Sequence, residues 1–211
     1  MLGVFLTGCT GSSNKTSQKV NNDPIVDELT TKKILALGDS LTAGYNLDIE
    51  DSYPAQLEKL LQKNDYTYSI INAGVSGNTS KNLLSRIGLY TEEYDLILLN
   101  IGGNDALRSL DIAQLKGNIS TIIESFPNTP IILFSIDVPE NYGKDYRTQL
   151  SQMYKSASES PNVYLYGSFF GGLDYKKHFL ADGLHPNTEG YRIISEKIYR
   201  FILQYNFIEN D

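Results

Sequence analysis

The chain has 211 residues, 41% of them hydrophobic and 20% charged, a composition that suits one globular domain with a substantial core. No apolar run approaches the roughly 18 residues of a membrane-spanning helix, and a formal net charge of −7 offers no basic stripe to a phosphate backbone, so nucleic acid is not expected as a partner. One cysteine and two histidines exclude a disulfide framework and the usual metal-ligand sets, and no metal or other cofactor is expected.

The cysteine, Cys9, lies in Leu6-Thr7-Gly8-Cys9, which resembles the lipobox of bacterial lipoproteins, where the cysteine becomes the lipidated first residue. Ser, Asn, Lys and Gln dominate from Thr10 to Asn22, the composition of a flexible tether that cannot build a core. Eight residues precede Cys9 and none is Lys or Arg, whereas a signal peptide has a charged start and a longer apolar segment. Residues 1–30 are therefore read as a lipoprotein signal remnant and tether, and 31–211 as the folded domain. The expectation is a cell-envelope protein anchored to a membrane through lipidated Cys9. The alternative is a cytoplasmic protein with a disordered N-terminus.

Lys33 to Leu37 is an apolar run that breaks into Gly38-Asp39-Ser40, which predicts a buried strand turning sharply at its carboxyl end. Asp51-Ser52-Tyr53-Pro54 reads as a helix start with Ser52 as cap, and Ala55, Leu57, Leu60 and Leu61 supply the apolar face. Tyr66 to Ile71 is a second strand, ending in Asn72-Ala73-Gly74-Val75-Ser76-Gly77, and Asn78-Thr79-Ser80 starts a helix running to about Leu89. Asp95 to Ile101 is too uniformly apolar to face water and reads as a central parallel strand, stopping at Gly102-Gly103-Asn104-Asp105. A helix from Ile112 to Phe126, a strand from Ile131 to Ile136, a loop from Asp137 to Asp145, a helix from Tyr146 to Ala157 and a strand from Asn162 to Tyr166 follow. An irregular stretch from Gly167 to Pro186 precedes a last helix at Thr188 to Tyr205. Strands alternating with helices imply right-handed crossovers and a three-layer α/β/α sandwich around a five-stranded parallel sheet.

Parallel strands end on one side, so the turns at Ser40, Gly77 and Asn104 should meet in one crevice. A serine hydroxyl needs a base to become a nucleophile, and histidine has the suitable pKa. His185 has Asp182 three residues earlier, close enough to orient one ring nitrogen while the other faces Ser40; His178 has no carboxylate so placed. The Ser40 and Gly77 backbone N–H groups and the Asn104 amide are candidate donors to a developing oxyanion. Taken singly, Gly-Asp-Ser is equally a turn with a capping serine, Gly77 a left-handed turn residue and Asn104 a cap. Asp39 and Asp105 are read as scaffold carboxylates that hydrogen-bond these turns.

Together, Gly38-Asp39-Ser40-Leu41, the glycine in Val75-Ser76-Gly77-Asn78-Thr79-Ser80, Gly102-Gly103-Asn104-Asp105 and Asp182-Gly183-Leu184-His185-Pro186 resemble the four sequence blocks of the GDSL, or SGNH, hydrolases. The similarity spans Lys33 to the last helix. It is nearest the bacterial thioesterase, arylesterase and lysophospholipase branch, which has a segment similar to Pro139-Glu140-Asn141-Tyr142-Gly143. The resemblance implies a flavodoxin-like fold, Ser40 as nucleophile, His185 as base, Asp182 as its orienter, and Ser40, Gly77 and Asn104 as the oxyanion hole. It also implies hydrolysis of a small acyl ester, thioester or lipid. The loop from Asp137 to Asp145, rich in Pro, Asn, Tyr and Gly, is the candidate for shaping the acyl pocket. A carbohydrate O-acetyl esterase is the alternative enzyme. A surface-binding lipoprotein that keeps the fold without catalysis is the alternative of another class.

Overall fold

The computed structural model describes Met1 and residues 31–209; the lipobox-like Cys9 and the expected tether lie outside the described residues. The first half of the chain runs through β1 (Lys32–Gly38), α1 (Ser40–Ala43), α2 (Tyr53–Lys63), β2 (Tyr68–Gly74), α3 (Ser80–Ser85) and β3 (Leu96–Asn100). It continues through α4 (Gly103–Leu107), α5 (Ile112–Glu124), β4 (Ile131–Ser135), α6 (Lys144–Ala157), β5 (Val163–Ser168) and α7 (Thr188–Gln204). The five strands form one sheet in the order β2-β1-β3-β4-β5, and every pairing is parallel. Residues Ile34 to Leu37 and Leu96 to Leu99 are fully buried, because a strand covered on both faces has no polar side to present.

Helices α2 and α7 pack on each other, while α3, α5 and α6 form a second group; right-handed crossovers put the two groups on opposite faces of the sheet. The three-layer, five-stranded architecture is the one expected from the sequence. Fully buried Tyr53 of α2 joins the layers, meeting Phe134 of β4 edge-on at 6.2 Å and Phe169 at 5.5 Å. Edge-to-face aromatic pairs add about 0.5–1.5 kcal/mol each beyond the area they bury. Among the described residues no helix is long and apolar enough to cross a membrane.

The details differ from the sequence expectation in five places. Ser52 is the N-cap residue of α2, as expected, but its side chain makes no cap hydrogen bond: the hydroxyl donates to the Ile49 carbonyl at 2.6 Å, closing a 3₁₀ turn over Ile49–Asp51. The helix expected to reach Leu89 ends at Ser85, because Arg86 leaves helical geometry (φ −113°, ψ 4°) and Ile87–Leu89 tightens into a 3₁₀ turn. The second strand lies later than expected, at Tyr68–Gly74. Gly103–Leu107, expected as a turn, is a short helix, and the loop after β4 holds a 3₁₀ turn at Glu140–Tyr142.

From β1 the chain crosses to β2 on one side; β3 then pairs on the other side, and β4 and β5 continue outward from it. The crevice outside the carboxyl ends of β1 and β3 is the topological switch point, where open α/β sheets bind ligands. Two glycines let α1 settle directly on these tips. Gly38 and Gly74 are register partners; a Cβ on Gly74 would lie 2.7 Å from Ala43 Cα, and one on Gly38 would lie 2.6 Å from the Asn100 carbonyl oxygen.

Candidate active site

Asp39 starts α1 as its N-cap, one carboxylate oxygen accepting the Leu41 N–H at 3.0 Å. Such a cap satisfies an N–H that the helix leaves unpaired, and it sets Ser40 at the first helical position, 8% exposed. Ser40 Oγ lies 2.9 Å from His185 Nε2, and His185 Nδ1 lies 2.8 Å from Asp182 Oδ2. The other Asp182 oxygen accepts the backbone N–H groups of Leu184 at 2.9 Å and His185 at 3.0 Å. This Asx turn explains the three-residue spacing: the aspartate folds back on the next N–H groups and carries the ring with it. Burial pushes the Asp182 carboxyl up, but the N–H groups of His185 and Leu184 and the ring outweigh it, leaving the group below the ordinary aspartate value.

The segment carrying this pair is tied down locally. Leu180 N–H donates to the His185 carbonyl at 2.8 Å and Asn187 N–H to the His178 carbonyl at 2.9 Å. Asn187 also caps α7 through Gly190 N–H. The second histidine serves this segment: His178 Nδ1 accepts the Asp174 N–H at 2.9 Å.

Gly77 follows β2 with φ +81°, the left-handed region that favours glycine. Among the described residues neither the Ser40 nor the Gly77 N–H donates to a protein acceptor. Asn104 stands at the start of α4, and its Nδ2 contacts the Asn78 carbonyl at 3.1 Å and Asp39 Oδ2 at 3.3 Å. Burial pushes the Asp39 carboxyl up to about 6, even though the Leu41 N–H and the Asn104 amide pull it down. Asp105 accepts both the N–H of Ser80, at 2.8 Å, and its hydroxyl, at 2.5 Å. Both aspartates thus hold the turns together, as the sequence suggested.

Ser40, Gly77, Asn104 and His185 all border one cleft of about 240 Å³. Its far walls are apolar: Leu107, Ile136, Val138, Phe170 and Phe179. The arrangement places a polarisable hydroxyl, a ring base, unpaired N–H donors and an apolar recess within one opening, the parts required for acyl transfer.

A profile of the GDSL-like Lipase/Acylhydrolase family matches residues 36–193, from β1 into α7. The chain belongs to this family. This GDSL hydrolase is 32% identical over 180 residues to an arylesterase of Vibrio mimicus, covering 83% of this chain and 90% of the relative. It is 30% identical over 168 residues to thioesterase 1/protease 1/lysophospholipase L1 of Escherichia coli, covering 77% and 79%. The crystal structure of TesA superposes with a TM-score of 0.75 at 30% identity, over 81% of this chain and 98% of that one.

Several residues that shape this GDSL hydrolase site escaped the sequence reading. Arg86 binds the turn from below, donating to the carbonyls of Gly38 at 3.0 Å and Ala73 at 2.8 Å and to Asn78 Oδ1 at 3.0 Å. Tyr45 lays its ring 4.5 Å from that of His185. Phe170, Tyr175 and Phe179 line the cleft from the stretch after β5. No periodicity marked these aromatics, whereas the Arg86 position is a helix end whose partners come from three other segments.

Proposed function

We propose that this GDSL hydrolase is a serine esterase that cleaves carboxylic esters or thioesters through an acyl-enzyme on Ser40. The observation that carries the reading is the unbroken hydrogen-bond chain Asp182–His185–Ser40 opening onto an apolar cleft. Ser40 Oγ attacks the carbonyl carbon while His185 Nε2 takes the hydroxyl proton, and Asp182 Oδ2 holds the Nδ1–H and stabilises the charged ring. The carbonyl oxygen becomes an oxyanion held by the N–H groups of Ser40 and Gly77, and Asn104 exchanges its long contact with Asp39 for a third bond to it. Collapse expels the alcohol or thiol, which leaves with the proton from His185. A water molecule, deprotonated by the same ring, then releases the acid and restores Ser40.

The apolar lining supports an acyl chain as the occupant in preference to a sugar, whose hydroxyls would find few partners there. The relatives named as arylesterase and as thioesterase 1/protease 1/lysophospholipase L1 support the same substrate range. A fluorophosphonate probe should label the wild-type protein at Ser40, and Ser40→Ala should lose both labelling and p-nitrophenyl butyrate hydrolysis while keeping its circular dichroism spectrum. Wild-type protein that neither labels nor hydrolyses would sink the reading. Attachment through lipidated Cys9 is proposed from the sequence alone: Cys9→Ser should move the expressed protein from the detergent phase to the aqueous phase.

A further inference from the structure

Away from the end that holds Ser40, Asn104 and His185, the cleft wall is apolar except at one place. Asp137 follows β4, is exposed and borders the cleft, and its carboxylate accepts a hydrogen bond from Ser168 Oγ at the end of β5. The same cleft is bordered by Tyr175, 61% exposed, which stacks on Phe179 with ring centroids 4.4 Å apart and planes tilted by 17°. Phe179 is held in turn by Phe170 at 5.4 Å. The two features are neighbours electrostatically: after burial, the Asp137 charge is what pushes the Tyr175 hydroxyl up.

No lysine or arginine is among the described residues that border the cleft. Of its two carboxylates, Asp39 is buried and occupied by the Leu41 N–H and the Asn104 amide. Arg147 shares a small hollow on the other side of Asp137, but its guanidinium lies 3.9 Å from Glu140. Asp137 is therefore the exposed carboxylate of the lining that a bound substrate meets; outside the lining, Arg108 donates to the Gly77 carbonyl at 3.0 Å and Asp182 is engaged by His185. An exposed aromatic face set beside a carboxylate attracts an organic cation, which gains from the ring quadrupole and the charge while its methyl groups bury against apolar surface.

We propose that the wall formed by Asp137, Tyr175 and Phe179 selects ester substrates that carry an ammonium group, in the leaving alcohol or in the acyl chain. The inference rests on the esterase reading above and names a substrate class for it. The ammonium group takes no part in bond breaking; it docks on the Tyr175 ring within reach of the Asp137 carboxylate while Ser40 works on the ester carbonyl. Neutral esters of the same shape bind the same recess without that gain.

The test compares kcat/KM for two pairs of esters, each pair differing only in quaternary nitrogen against carbon. The first pair is butyrylcholine and its carbon isostere, with the cation in the leaving group. The second is the p-nitrophenyl ester of γ-trimethylammoniobutyrate and its carbon isostere, with the cation in the acyl chain. The wild-type protein should prefer the cation about five- to tenfold in at least one pair, the range for a partly exposed cation–π contact joined to a charge pair. The pair that shows the preference says which side of the ester the wall reads. Asp137→Asn, which keeps an acceptor for Ser168, and Tyr175→Leu, which keeps apolar bulk, should each lower that ratio about two- to fivefold, since each removes one of the two contributions.

Turnover of each carbon isostere reports that the variant has folded; if Asp137→Asn has not, Tyr175→Leu decides. A wild-type ratio at or below one in both pairs, or a ratio that survives the deciding substitution, overturns the inference and leaves the esterase reading standing. Failure of the wild-type protein to hydrolyse p-nitrophenyl butyrate and all four esters overturns the esterase reading, and the inference with it.

Discussion

Asp39 sits one residue from the nucleophile position, 1% exposed, with its carboxyl pushed by burial up to about 6. In an unfolded chain an aspartate titrates near 3.9, so between about pH 4 and 6 the folded protein binds the proton more tightly. Stability must then fall as pH rises through that window. Asp39→Asn keeps an oxygen for the Leu41 N–H and removes the titration. Urea titrations should therefore show the wild-type protein losing stability relative to Asp39→Asn by up to about 3 kcal/mol between pH 4 and pH 8; a pH-independent difference would remove Asp39 as the source. Its neighbour Asn104 is expected to matter through rate. Asn104→Ala should lower kcat about 10²–10³-fold, the usual cost of one oxyanion donor, and wild-type turnover of p-nitrophenyl butyrate would contradict that role.

The elements were unevenly legible. Ile34–Leu37, Leu96–Ile101 and Ile131–Phe134 announced themselves because central parallel strands are buried on both faces. β2 is an edge strand, half-buried from Ser69 to Asn72, so its pattern was blurred and its start was placed early. Helix α4 spans only Gly103–Leu107, too short for a helical period to register, although it carries Asn104. Asp182 and His185 could be paired from spacing alone because an Asx turn is local, whereas Arg86 gave no local sign because it holds Gly38, 48 positions away. Arg86→Met would take a charged donor from the carbonyls of Gly38, which keeps the Val75 N–H at 3.1 Å, and Ala73, and from the Asn78 side chain. A loss of about 2–3 kcal/mol is expected in urea unfolding, with a fall in kcat because the Gly77 turn follows directly from these positions.

At the scale of the whole molecule, the net charge of −7 adds to the Asp137 wall in repelling anionic substrates. For an ester with an anionic headgroup, kcat/KM should rise severalfold as salt is raised from low to physiological strength, while a neutral ester stays flat, because added ions screen the repulsion. The site is also assembled from parts of different construction. Ser40 and Asn104 stand on helices rooted in the central strands, whereas Asp182 and His185 belong to a segment whose bonds run largely within itself, Leu180 to His185 and Asn187 to His178. That segment can detach while the sheet stays intact, since regions with few bonds to the core open at lower free energy than the fold as a whole. Loss of enzymatic power and loss of structure should consequently be two events: as urea is added, ester hydrolysis fades first, circular dichroism holds, and dilution restores activity at the speed of a loop closing.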